Sequence, residues 1–220
     1  MGITKADWEK RIAGRSDLTG RLTHLTKPKG IDLTGLSFDE LNLRAVDALI
    51  AILKEKRIYG STTHSGYIVG GTKAVCFQDA PLYAIAQNVE LERQRREQNP
   101  KEKLRYCGVG LSFIKPDIYS AYGGRPVLYE KTEVAKRFLE KNEWWRIVNL
   151  DYAKNSTWDI IDWTHEREWR VPDDMSFQYH TGQVHVIVYN PACASYFLEN
   201  CPKEILKEIY GMTTLKSVLM

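Results

Sequence analysis

Cysteine is scarce in this sequence and is not arranged to hold a metal. The four residues Cys76, Cys107, Cys193 and Cys201 form neither a CxxC nor a CxxH pair, so no metal site of the zinc-finger kind is expected. Long apolar runs are missing too. No stretch approaches the roughly 20 residues that a membrane-spanning helix requires, and the opening MGITKADWEKRIAGRSDLTG lacks the apolar centre of a secretory leader. Ala6 stands where a myristoylation motif has Ser or Thr. These absences lead to the expectation of a cytoplasmic protein with no membrane partner, its cysteines being buried thiols in a reducing compartment. An excess of one charge is also absent: 31 Lys and Arg face 28 Asp and Glu, a formal net charge of +3. So small a charge neither demands nor excludes a nucleic acid, because local clustering of cations governs phosphate binding. No internal repeat, low-complexity tract or linker divides the chain, and its 220 residues read as one domain over 1–220.

What is present is ordinary globular material, 43% hydrophobic and 27% charged. RLTHLTKPKG reads as a short strand broken by Pro28 and Gly30. Ser37 and Glu40 have capping-box spacing, and Val46, Leu49, Ile50 and Leu53 follow at the spacing of one helical face, ending near Gly60. YIVGGTKAVCF reads as two strand-like pieces around Gly-Gly. Asp79 is then placed to cap a helix whose first turn holds Pro81 and whose buried stripe is Leu82, Ile85, Ala86 and Val89. CGVGLSFI, RPVLYEK, WWRIVNL, REWRV and VHVIVYN are strand-like, with helices expected over about 132–141 and 202–210. Helices early and strands late, without regular alternation, predict an α+β fold rather than a doubly wound parallel sheet.

Three stretches carry candidate chemistry. On a strand, His24 and Thr26 share a side with Leu22. VCFQDAPL runs an apolar strand into a helix start, where backbone N–H groups can hold an anion or a carboxamide, although an ordinary capped junction explains Asp79 equally well. In HEREWRV an extended backbone aims Glu166, Glu168 and Arg170 to one side, with Arg167 and Trp169 on the other. Two carboxylates on one face repel unless a cation lies between them, and a strand whose charges pair across a sheet accounts for the same residues. Separately, Leu91 to Arg105 holds six basic residues, Arg93, Arg95, Arg96, Lys101, Lys103 and Arg105, against three Glu. It is either a solvated helix end or a patch facing a polyanion, with Arg93, Arg95 and Arg96 as the nucleic-acid candidates.

His24-Leu25-Thr26 resembles the His-x-Thr on the first core strand of diphtheria-toxin-like ADP-ribosyltransferases, which include the DarT-type enzymes that modify DNA. Glu166-Arg167-Glu168 resembles the E-x-E of that superfamily. Taken together, HLTKPKG, AVCFQDAPL, RYCGVGLSFIKP, GGRPVLYE and EREWRV resemble AbiGi-type abortive-phage-resistance proteins, as short motifs spread from Arg21 to Val171. The resemblance implies a single ADP-ribosyltransferase-like domain with a split, bent sheet and peripheral helices. It further implies NAD as substrate, mono-ADP-ribosyl transfer to a nucleic acid or protein acceptor, and a cognate toxin or antitoxin as partner. Residue by residue, Glu168 would stabilise the ribosyl cation and Glu166 would orient or deprotonate the acceptor. His24 would hold a ribose hydroxyl with Thr26 bracing it, and Tyr67 or Tyr119 would stack on nicotinamide. DarT-type enzymes carry an Arg after the segment corresponding to VCFQDAPL; here Gln78, Asp79 and Ala80 offer none, leaving Arg105 or Arg21 to supply it through the fold. The alternative, from proteins of the AbiGi type described as antitoxins, is a non-catalytic antitoxin or nucleic-acid-binding protein on the same fold.

Overall fold

The computed structural model describes residues 2–64, 67–100, 103–152 and 160–219. Its α-helices are α1 (Lys5–Ala13), α2 (Phe38–Glu55), α3 (Leu82–Gln98), α4 (Lys115–Ser120), α5 (Thr132–Ala135), α6 (Tyr179–Gly182), α7 (Pro191–Asn200) and α8 (Lys203–Glu208). The strands are β1 (Arg21–Leu25), β2 (Arg57–Ile58), β3 (Ala74–Gln78), β4 (Gly110–Ile114), β5 (Arg125–Pro126), β6 (Leu128–Glu130), β7 (Ile147–Asn149), β8 (Glu168–Pro172), β9 (Met175–Ser176), β10 (His185–Val188) and β11 (Gly211–Thr214). Short 3-10 turns cover Lys141–Arg146, Thr164–Glu166 and Leu215–Val218. The fold class is α+β, with a mixed sheet.

The chain forms two compact units, each assembled from separated segments. The first comprises Met1–Lys56, Ala80–Lys115 and Phe177–Met220, and the second Arg57–Asp79 and Pro116–Ser176. In the first unit β1 pairs antiparallel with β4, β4 antiparallel with β10, and β10 parallel with β11. Strand β4 is buried along most of its length, with Leu111 and Phe113 on one side and Ser112 on the other. Gly110 is required there, since a Cβ on it would lie 2.0 Å from the His24 carbonyl oxygen of β1. The helical layer begins where the capping-box spacing predicts. Ser37 accepts from the Glu40 N–H while Glu40 accepts from the Ser37 N–H, and Leu41, Ala45, Val46, Leu49 and Leu53 of α2 are fully buried. Phe113 meets Phe177 edge-on, and Phe177 in turn meets Tyr179.

In the second unit β8 is the middle of three antiparallel strands, flanked by β3 and β5. The small pairs β2 with β9 and β6 with β7 complete its strands among the described residues. Its core includes Ile68, Ala74, Val75, Phe77, Ile118, Trp145, Ile147 and Val171. Asp174 ties this unit's loops together, receiving the Gly60 N–H at 2.9 Å and pairing with Arg57 at 2.6 Å and Lys73 at 2.7 Å.

Several expected boundaries move. The stretch Tyr67–Val69 is not a strand; only Ala74–Gln78 of that segment is. Asp79 is not the N-cap residue of α3; it lies just past β3, its N–H donating to the Arg167 carbonyl at 3.1 Å. The cap position falls on Pro81, which offers no side-chain acceptor. The helix expected over 132–141 stops at Ala135, where the backbone tightens to i−3 bonds at Arg137 and Phe138.

Candidate functional site

Glu168 opens β8 and is 8% exposed; Arg170, two residues on and on the same face, is 3% exposed. The guanidinium grips both carboxylate oxygens, Nε donating to Oε1 at 2.8 Å and Nη2 to Oε2 at 3.2 Å. Its Nη1 donates to the carbonyls of Trp145, at 2.6 Å, and Ile147, at 3.1 Å. Such a two-pronged pair fixes the direction of the carboxylate. The backbone holds Glu168 as firmly, its N–H donating to the Tyr129 hydroxyl at 2.7 Å and its carbonyl accepting from Val127.

The register of β3 on β8 sets Cys76 opposite Arg170 and Gln78 opposite Glu168, which adds a thiol and a buried carboxamide to the same face. Burial pushes the Cys76 thiol well above its ordinary range and the adjacent Glu168 carboxylate adds to this, so the sulfur stays protonated and poorly nucleophilic. Burial also raises the Tyr129 phenol, to about 12, with Glu168 and Glu166 opposing ionisation and the Glu168 N–H favouring it. For Arg170 burial works against the charge, but the Glu168 carboxylate outweighs it and the guanidinium is held above its ordinary pKa.

Glu166 is not on the strand. It ends the 3-10 turn Thr164–Glu166, and Arg167 follows in the left-handed region with φ 46°. Bonds from the Glu166 N–H to the Trp163 carbonyl and from the Arg167 N–H to the Thr164 carbonyl close this turn. Asp162 starts it by accepting from the Thr164 N–H at 2.8 Å. The expected alternation from Glu166 to Glu168 therefore fails: the extended backbone starts at Glu168. Glu166 nevertheless lies close enough to oppose ionisation of both Cys76 and Tyr129.

The two tyrosines expected to stack on nicotinamide also lie in the second unit. Tyr67 is 77% exposed and its carbonyl accepts from Arg170 Nη2 at 3.5 Å. Tyr119, on α4, carries the Arg125 guanidinium 4.0 Å above its ring. His24, Thr26 and the three arginines belong to the first unit. His24 sits on β1 opposite Leu111, partly buried, and Thr26 is buried just beyond the strand's end, paired through its backbone with Val109 and Cys107. Arg93 is clamped by Glu90 and Glu97 of its own helix, and those bonds raise its pKa. Arg96 is buried and donates to the Leu33 carbonyl at 3.1 Å. Arg95 is partly exposed.

Thus the second unit brings Glu168 together with Arg170, Cys76, Gln78 and Tyr129, and has Glu166 nearby. The pairing of β3 with β8 is not readable from either segment alone. Among the described residues no group of three His, Cys, Asp or Glu is placed to hold a metal ion. No described helix is long and apolar enough to cross a membrane. No protein-family model matches the chain, and neither a curated protein nor a solved structure does.

Proposed function

We propose that this chain is an ADP-ribosyltransferase-like protein of a phage-defence or toxin–antitoxin system, taking NAD as substrate and a nucleic acid or protein as acceptor. The observation that carries the reading is the hold on Glu168: a buried carboxylate, aimed by Arg170 and anchored through Tyr129 at the first residue of a central strand. In the reaction the C–N bond between nicotinamide and ribose breaks, and nicotinamide leaves as a neutral base with the bonding pair. An acceptor oxygen or nitrogen then forms the new bond to the ribose anomeric carbon and gives up its proton. Positive charge builds on the ribose on the way, as in glycoside cleavage, and a carboxylate already fixed in direction stabilises it without reorganising. Glu168 takes that role and Glu166, on its turn, takes the acceptor's proton. The ADP-ribosyltransferase-like, split and bent form of the sheet belongs to this same reading.

A second reading is favoured by the Glu168–Arg170 pair itself, since both carboxylate oxygens are already engaged. A non-catalytic protein that neutralises a cognate toxin or binds nucleic acid would need Glu168 for structure alone. Labelled NAD incubated with the protein and with DNA, RNA or lysate separates the two. Transfer by the wild type that drops about a hundredfold or more in Glu168→Gln, with NAD binding retained, supports the enzyme. Equal labelling by both proteins, or none by either, removes it and leaves the non-catalytic reading.

A further inference from the structure

The four strands β1, β4, β10 and β11 of the first unit contain no Asp or Glu, yet one face of their sheet carries a guanidinium. The register pairs Arg21 with Ile114, Thr23 with Ser112, and Ser112 with His185. These side chains therefore share a face, and Leu22 and His24 lie on the opposite one. Arg21 reaches across β4 toward β10: its Nε donates to Ser112 Oγ at 2.9 Å, and its Nη2 donates to the Ser112 carbonyl at 2.7 Å and to the Gln183 carbonyl. The guanidinium carbon stands 5.7 Å from the centre of the Tyr210 ring, which is 65% exposed. His185 lies over the next residue, since a Cβ on Gly211 would meet its Nδ1 at 3.1 Å. The other ring nitrogen, Nε2, is fixed 2.8 Å from Thr213 Oγ1.

Arg93, Arg105 and Arg170 each hold a carboxylate. Arg21 does not: every acceptor it has among the described residues is neutral, and its Nη1 donates to none of them. Burial lowers its pKa, with the Tyr210 phenol as the offsetting neighbour. A partly buried charge without a counter-charge is costly, and an anion from solution offsets that cost. Burial and then Arg21 also lower the pKa of His185, so at about pH 7.5 the imidazole is neutral and Arg21 supplies the positive charge. With the Thr213 hydroxyl donating to Nε2, the ring proton sits on Nδ1, which has no other partner among the described residues. Two donors of the guanidinium fork and one imidazole N–H then meet above Tyr210 and Gly211, a set that suits the oxygens of one phosphate group. A single fixed cation does not follow a polyanion backbone, which requires several.

We propose that Arg21 and His185 bind the phosphate group of a small phosphorylated molecule on this face, with Thr213 setting the imidazole proton and the exposed Tyr210 ring flanking the organic part. The site goes beyond the proposed function and does not rest on it, because Arg21 and His24 face opposite sides of β1. The test uses the full chain without NAD, at about pH 7.5 and constant ionic strength. Imidazole signals are followed by NMR while inorganic phosphate or glycerol 3-phosphate is added, and the His185 signal is assigned by its loss in His185→Phe. A saturable shift of that signal is expected with both ligands. Arg21→Gln is expected to raise Kd about tenfold or more, the loss of a charge-assisted hydrogen bond, and Arg21→Lys, which keeps the charge but not the fork, to raise it several-fold. Thermal melts check both variants; should Arg21→Gln not fold, the Arg21→Lys result decides. The absence of a saturable shift in the wild type overturns the proposal, as does an unchanged Kd in the folded arginine variants. Acetate as effective as phosphate, or a response to a DNA oligonucleotide but to neither small ligand, overturns it as well. NAD transfer is read in a separate assay, so its failure and the failure of this site are distinguishable.

Discussion

Arg170 commits every arm of its guanidinium inside the second unit, to Glu168 on one side and to the Trp145 and Ile147 carbonyls on the other. Removing one partner of a buried ion pair strands the other charge, at about 3–5 kcal/mol. Arg170→Met is therefore expected to cost that much in urea denaturation, with Glu168→Gln/Arg170→Met recovering part of it. A cost below about 1 kcal/mol for the single variant would show that the pair does not hold the strand. Asp174 gives a pH signature. Burial works against its charge, but Lys73, the Gly60 N–H and Arg57 outweigh it and lower its pKa from 3.8 to about 2. A folded pKa below the unfolded one favours the ionised form on folding, so the stabilisation is complete above about pH 4 and is lost as pH falls toward 2. The stability gap between the wild type and Asp174→Asn should close over that window. A gap independent of pH from 5 to 2 would contradict the linkage.

At the scale of elements, the start of α2 and the contact of β1 with β4 make opposite demands on side chains. The first needs a specific oxygen: Ser37→Ala removes the acceptor for the Glu40 N–H and is expected to cost about 1 kcal/mol. The second needs no side chain at all. A methyl at Gly110 would fall 2.0 Å from the His24 carbonyl and 2.9 Å from the Leu25 Cα, both backbone atoms that cannot swing away. Gly110→Ala is expected to cost at least about 2 kcal/mol and to exceed Ser37→Ala in the same chemical denaturation series. The reverse ranking would mean that the two strands separate readily at this point. Because His24 is on the displaced strand, any loss of NAD binding in Gly110→Ala would be an effect of strand position, distinguishable from His24→Ala by the accompanying fall in stability.

For the molecule as a whole, stability rests on burial and hydrogen bonding rather than on cross-links, since all four cysteines are free. Burial raises the pKa of each thiol, and the thiolate is the reactive form. The native protein should react slowly with a disulfide reagent at pH 8, all four thiols should titrate promptly in denaturant, and reductant should leave the melting temperature unchanged. Rapid native reaction of Cys76, the partly exposed one, would place its sulfur outside the shelter of Glu168 and Arg170.

The amino-acid sequence by itself determined the local structure wherever neighbouring residues settle the outcome. The capping box of Ser37 and Glu40, the buried stripe Ile85, Ala86 and Val89, and the strands of RLTHL and EWRV are readable because their signals lie within one or two turns or alternations. It also singled out Glu168. It misplaced Glu166 because periodicity alone does not show that hydrogen bonds of Trp163 and Thr164, with Asp162 as cap, turn the backbone just before the strand. Only the tertiary structure decided what surrounds Glu168. Cys76 and Gln78 reach it through the β3–β8 register, and Tyr129 reaches it across 39 positions of chain. Electrostatics depends on distance in space, and the sequence supplies that distance only along the chain.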